Sequence, residues 1–270
     1  MNYLYSMIAG IVQGLTEFLP VSSSGHLVLF HDILKFDFFD NVLFDVAMHL
    51  ATLVALVVFF RKDIVRLARG FGRSLGRRDL RNDPDQRLPW LILLGTVPAV
   101  AAGYLFESFV GGALRRPGVV AVALAVVAGL LFAVEKIAVK KRTLADMTAA
   151  DATVIGIAQA AALIPGVSRS GITLAAGLGR KLTRPDAARF SFLLSIPTVF
   201  GAAVKKGLEI GHASGADWAV LAVGFGAALL SGLLAIRFFM KFVGRHSLRV
   251  FAWYRLGLSA LVVLWLLARG

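Results

Sequence analysis

The 270-residue chain contains no cysteine. That excludes a disulfide scaffold and any thiolate metal site. Charge is scarce as well, at 17% of residues, against 58% hydrophobic residues and a mean hydropathy of +0.77. Soluble domains carry roughly 25% charged residues. A chain of this size cannot hide so much apolar side chain inside one water-facing globule. Soluble globular, disordered and fibrous classes are thereby excluded. Acidic residues are few, 16 against 29 Lys plus Arg, for a net charge of +13. Nucleic-acid binders share that excess, so the location of the charge must decide. Glycine is plentiful, at 27 residues, as expected where membrane helices pack closely.

A spanning helix needs roughly 20 mostly apolar residues. Six stretches qualify, at about 42–60, 88–106, 117–135, 188–206, 218–240 and 250–268. Two further apolar regions are broken: 4–34 at Leu19–Gly25, and 152–179 at Pro165–Gly171. Their arms are too short to cross alone and predict re-entrant hairpins. The N-terminus lacks the basic start of a signal peptide. Segment 61–87 holds nine Lys/Arg, and its basic character predicts a cytoplasmic location. Threading the spans from there puts 136–150, 180–189 and 237–249 inside too. The inside segments then hold 21 Lys/Arg and the outside ones six: Lys35, Arg115, Arg116, Lys205, Lys206 and Arg269. The net charge is therefore an orientation signal and a surface for membrane lipids, and a nucleic-acid partner drops out. Both termini lie outside in this threading. The first hairpin enters from outside and the second from the cytoplasm, so their tips can meet.

Shifted by 146, the chain partly matches itself. Gln13 falls on Gln159, Val21–Gly25 on Val167–Gly171, and Leu50–Leu53 on Ile196–Val199. The expected fold is an all-α integral membrane protein of about ten helices, a single domain spanning 1–270. It is an inverted-topology repeat, about 1–135 and about 150–270, each half a hairpin plus three spans.

Gln13 and Glu17 share a helix face. A carboxylate inside an apolar segment is a functional candidate by default, although a helix-end Glu can also snorkel or cap. Carboxylate and amide oxygens suit Mg²⁺ or Ca²⁺. Ser22, Ser23, Ser24 and Gly25 precede the next apolar helix. One such serine is an ordinary cap; three, with a glycine, also make an anion cradle. His26 follows, a candidate acid/base or nucleophile. His31 and His49 lack such company and read as structural. Arg169 needs an anionic partner, either Glu17 in a structural ion pair or phosphate oxygens that match its fork. Ser168, Ser170 and Thr173 add donors. The set suits a di- or triphosphate-like anion, and a pyrophosphate held among lipid-facing helices points to a lipid. A secondary transporter or lipid flippase shares the inverted-repeat form and is the rival class.

Gln13–His26 (QGLTEFLPVSSSGH) resembles the first signature of the bacterial undecaprenyl-pyrophosphate phosphatases of the bacitracin-resistance type. Pro165–Thr173 (PGVSRSGIT) resembles the second, and Phe190–Pro197 and Phe251–Leu256, with Tyr254 and Arg255, are also similar. The resemblance covers essentially the whole chain. It implies removal of the terminal phosphate of undecaprenyl pyrophosphate, which recycles the lipid carrier for cell-wall synthesis and confers bacitracin resistance. It implies the bacterial cytoplasmic (inner) membrane, with the site opening to the outer side. It carries metal binding to Gln13 and Glu17, the serine-histidine segment to Ser22, Ser23 and His26, and phosphate binding to Arg169. A glutamine at position 13 removes one possible metal charge. Ser23 with His26 as its base, His26 itself, or water remain the candidate nucleophiles. A homodimer is kept as an expectation.

Overall fold

A computed structural model describes residues 3–27, 42–77, 79–106, 114, 116–210 and 217–269, the side chains of 42, 209 and 210 excepted. The expected all-α architecture is found. In chain order the helices are α1 (Tyr3–Phe18), α2 (Val42–Phe59), α3 (Arg61–Gly76), α4 (Pro84–Leu105), α5 (Pro117–Ile137), α6 (Ala149–Ala161), α7 (Arg169–Gly179), α8 (Arg184–Ile210), α9 (Trp218–Val243) and α10 (Arg249–Leu267). A short helical turn covers 23–27. Five helices, α4, α5, α8, α9 and α10, are each long and apolar enough to cross a membrane, which makes this a multi-pass membrane protein. The sixth expected span, α2, reaches that standard only together with α3, from which it bends by 77°.

The basic segment 61–87 is in large part helical. Residues 61–76 form an amphipathic helix whose Leu67, Gly70 and Ser74 are buried while Lys62, Arg66, Arg69 and Arg73 face outward. Its buried face packs on the start of α4, where the Trp90 indole donates to Ser74 Oγ at 3.0 Å. The polar stripe cannot enter hydrocarbon, so the chain turns where the apolar run ends. His31, Lys35 and Arg115, and the second arm of the first hairpin beyond Leu27, lie outside the described residues.

The second hairpin is held closed at its mouth by one carboxylate. Asp151, at the start of α6, has no exposed side-chain surface. It accepts from Arg142 Nη2 at 2.7 Å and from Arg180 Nε, just past the end of α7, at 2.6 Å. It also closes a capping box with Thr148. Both ends of the hairpin therefore return to one place, as a re-entrant element must. Asp151→Asn removes the charge and leaves two arginines without their shared partner. It should lower stability by about 3 kcal/mol, read as a fall in Tm of the detergent-solubilised protein. An unchanged Tm would contradict this account of the hairpin.

The first arm is held differently. Small residues bring α1 against α9, as close helix contacts in a membrane require. A Cβ built on Gly14 would stand 2.5 Å from the Ala228 carbonyl oxygen and 2.7 Å from the Gly232 nitrogen. Ser6 Oγ donates to Val220 O at 2.6 Å across the same seam. These contacts leave Gln13 and Glu17 buried at the deep end of α1.

The match at offset 146 is visible as repeated local geometry. Ser22 and Ser168 both take positive φ, 76° and 69°. Each caps the following turn by accepting from a glycine N–H, Gly25 at 3.1 Å and Gly171 at 3.2 Å. Each also pairs its hydroxyl with the serine two residues on, at 3.3 and 3.2 Å. The left-handed backbone costs about 1–3 kcal/mol at a non-glycine residue, and its recurrence marks the two breaks as built turns. Gln159 matches Gln13 in burial, and its amide donates to Thr198 Oγ1 at 3.0 Å.

Candidate active site

The two breaks meet. Ser170 Oγ donates to Leu19 O at 3.1 Å, and the Gly166 N–H reaches Ser24 Oγ at 3.5 Å. At their junction stands Glu17, whose side chain is 8% exposed. Arg169 Nη2 donates to Glu17 Oε1 at 2.7 Å. The other oxygen, Oε2, accepts from Ser23 Oγ at 2.8 Å and from the Gln13 amide at 3.1 Å. Four residues singled out in the sequence, Gln13, Glu17, Ser23 and Arg169, therefore form one cluster. Two of its buried polar atoms have no partner among the described residues, Arg169 Nη1 and Gln13 Oε1. A buried donor or acceptor left unmade costs about 1–3 kcal/mol, so the cluster offers one donor and one acceptor to a ligand.

His26 departs from expectation. Its Nδ1 lies 2.7 Å from the Ser22 carbonyl oxygen, and its Nε2 lies 2.7 Å from Tyr254 Oη. Neither ring nitrogen bonds Ser23, whose hydroxyl is given to Glu17. The residues expected as a phosphate cradle also differ. Ser22, Ser168 and Ser170 spend their hydroxyls on the turns and on the contact between breaks. The Gly25 N–H is taken by Ser22. The Thr173 hydroxyl donates to Arg169 O at 2.7 Å and sits 2.5 Å from Ser191 Oγ, facing α8. The physical reason is common to all of them. A positive-φ break inside an apolar bundle exposes backbone groups that need partners, and nearby hydroxyls supply them first. His49 donates from Nδ1 to Asp45 O at 2.9 Å, a structural bond within α2.

Arg255 was noted in the sequence only as a similarity and carries more than that. It has no exposed surface. Its guanidinium donates to backbone carbonyls alone: Pro20 at 3.2 Å, Gly166 at 2.7 Å, Val167 at 3.1 Å, Ala123 at 3.3 Å and Leu124 at 3.2 Å. One cation from α10 thus ties both breaks to α5. Contacts between residues more than 85 positions apart leave no local signal to find them by.

A divalent ion was expected at Gln13 and Glu17. Among the described residues no three His, Asp or Glu gather as a metal cluster. The donors present are oxygens, and Gln13 Oε1 is an unused acceptor beside a carboxylate. Oxygen donors of this kind are those a hard cation would take.

The family model described as bacitracin resistance protein BacA matches residues 6–261. An undecaprenyl-diphosphatase of Rubrobacter xylanophilus is 53% identical, over 99% of this chain and 99% of its own. Undecaprenyl-diphosphatases of Desulforudis audaxviator and Idiomarina loihiensis are each 42% identical, the first over the whole of both chains and the second over 99% of each. With the family model matching nearly end to end, this chain belongs to the bacitracin resistance protein BacA family.

Proposed function

We propose that the protein hydrolyses undecaprenyl pyrophosphate to undecaprenyl phosphate and inorganic phosphate, recycling the lipid carrier for cell-wall synthesis. One observation carries this reading: a buried carboxylate shared by a serine hydroxyl and an arginine whose second Nη is unpaired. That is a nucleophile, its base and an anion hook in one place. Arg169 keeps Nη2 on Glu17 and offers Nη1 to an oxygen of the terminal phosphate. Ser23 Oγ attacks the terminal phosphorus while its proton passes to Glu17 Oε2. The bond to the bridging oxygen breaks and undecaprenyl phosphate leaves. The departing undecaprenyl phosphate carries that proton away and restores the Glu17 carboxylate. Water then attacks the phosphoserine phosphorus and gives a proton to Glu17, which passes it to Ser23 Oγ as the P–Oγ bond breaks and phosphate departs. Glu17 replaces His26 as the base in this scheme because the hydrogen bond of Ser23 runs to Glu17. Gln13 Oε1 and Glu17 would hold Mg²⁺ or Ca²⁺, which supplies charge neutralisation to the diphosphate.

The membrane is the bacterial cytoplasmic membrane, and the site opens outward. The two halves, about 1–135 and about 150–270, lie in opposite orientations within one domain. The Lys/Arg asymmetry supports that orientation. A cysteine-free chain makes it easy to test. Ser74 would be a natural reporter for the cytoplasmic segment, but it is 3% exposed, whereas Leu75 is 67% exposed. An impermeant thiol reagent on intact cells should label Gly112→Cys and spare Leu75→Cys. Position 112 lies outside the described residues. Labelling of position 75 alone would reverse the orientation.

The function is tested by phosphate release from undecaprenyl pyrophosphate in detergent, with and without chelator. A transporter or flippase of the same form releases none. Loss of release on chelation, restored by Mg²⁺ or Ca²⁺, is the result expected of the ion site. Full activity in chelator would remove it.

A further inference from the structure

Tyr254 lies 228 positions from His26 in sequence and 2.7 Å from it in space. The two rings are stacked, 10° from parallel with centroids 5.8 Å apart. The direction of the bonds follows from chemistry. The Ser22 carbonyl can only accept, so His26 Nδ1 carries the hydrogen there. Nε2 of the neutral ring is then an acceptor, and the Tyr254 hydroxyl donates to it. The backbone N–H of His26 also donates to Ser22 O, at 3.1 Å. One residue therefore gives two hydrogen bonds to the carbonyl of the positive-φ Ser22, and its ring is fixed in turn by Tyr254. Ser23 sits between these anchors, aimed at Glu17. The next residue of α10, Arg255, holds the carbonyls of Pro20, Gly166 and Val167.

We propose that Tyr254 is a positioning residue for the reaction: by holding the His26 ring at Nε2, it keeps the turn that carries Ser23 against Glu17. The proposal rests on the hydrolase reading above. Arg255 is too deeply buried to test cleanly, since its loss leaves five carbonyls without their donor. Tyr254 is 48% exposed, so Tyr254→Phe removes the hydroxyl while keeping the ring and its packing.

The experiment is a double-mutant cycle on the full-length protein in detergent, with undecaprenyl pyrophosphate as substrate. Tyr254→Phe should lower kcat by about 10-fold and leave KM within about twofold, because a misplaced nucleophile slows chemistry rather than binding. His26→Gln should lower kcat at least as much. The double variant should be no slower than His26→Gln alone, since Tyr254 acts only through His26. Wild-type kcat in Tyr254→Phe, a change confined to KM, or losses that multiply in the double variant would each overturn the proposal. A second readout needs no activity. In the ¹⁵N spectrum of histidine-labelled protein, Tyr254→Phe should move the unprotonated Nε2 signal of one Nδ1–H histidine as its hydrogen bond is lost. Unchanged histidine signals would overturn the proposal even where His26→Gln fails to fold. Absence of phosphate release by the wild type, with the change in the Nε2 signal intact, would instead strike the hydrolase reading.

Discussion

Replacing Arg169 by alanine should lower kcat/KM for the lipid pyrophosphate by about 10²–10³-fold. Two contributions act together. The unpaired Nη1 is the donor placed for a phosphate oxygen, and a charge-assisted bond made in a water-poor site is worth several times its value in water. The same change removes the cation bonded to Glu17, leaving that carboxylate, among the described residues, with the neutral donors Ser23 and Gln13. Arg169→Lys should recover little of the loss. A lysine is a point charge on a flexible stem and cannot hold Glu17 and a phosphate through two arms of one fork. Near-normal turnover by a properly inserted Arg169→Ala protein would sink the assigned role.

Ser23→Ala should be the other severe variant, losing about 10³-fold or more in kcat. The Ser23 hydroxyl is bonded to the buried carboxylate, which is the arrangement an activated nucleophile requires. Ser24 makes a useful contrast. Its hydroxyl has only long contacts, 3.3 Å to Ser22 Oγ and 3.5 Å to the Gly166 N–H. Ser24→Ala should therefore cost about tenfold or less, the value of a weak neutral hydrogen bond. Substantial hydrolysis by Ser23→Ala, with Mg²⁺ present and His26 intact, would transfer the nucleophile's role to His26 or an activated water.

The pairing of these residues was legible in the sequence because a membrane setting penalises polar atoms so heavily. Glu17 and Arg169 stand out against apolar runs, and Pro20, Gly166 and the serines mark where each helix must break. The lengths of the apolar runs gave five of the six spans close to where the long helices lie. Two kinds of information were missing. The first was local. The basic run after Phe60 reads as a loop by composition, yet its apolar positions fall on one helical face and pack on the start of α4. The second was long-range. Which hydroxyls serve ligand and which serve the backbone depends on what each turn leaves unsatisfied, and that is set by φ at Ser22 and Ser168. Tyr254 and Arg255 belong to the same class. Their partners come from three distant segments, so no spacing within α10 announces them. Their placement also explains how a site built from two breaks can be rigid, since the last helix is bonded to both.

The central claim is that one carboxylate, Glu17, joins the two breaks into a hydrolytic site. The direct measurement is release of inorganic phosphate and undecaprenyl monophosphate from undecaprenyl pyrophosphate by purified wild type and Glu17→Ala, side by side at matched insertion and Tm. The wild type should release the two products in equal amounts, and Glu17→Ala should be slower by about 10³-fold or more. No phosphate from the wild type, or comparable rates from the two proteins, would contradict the account.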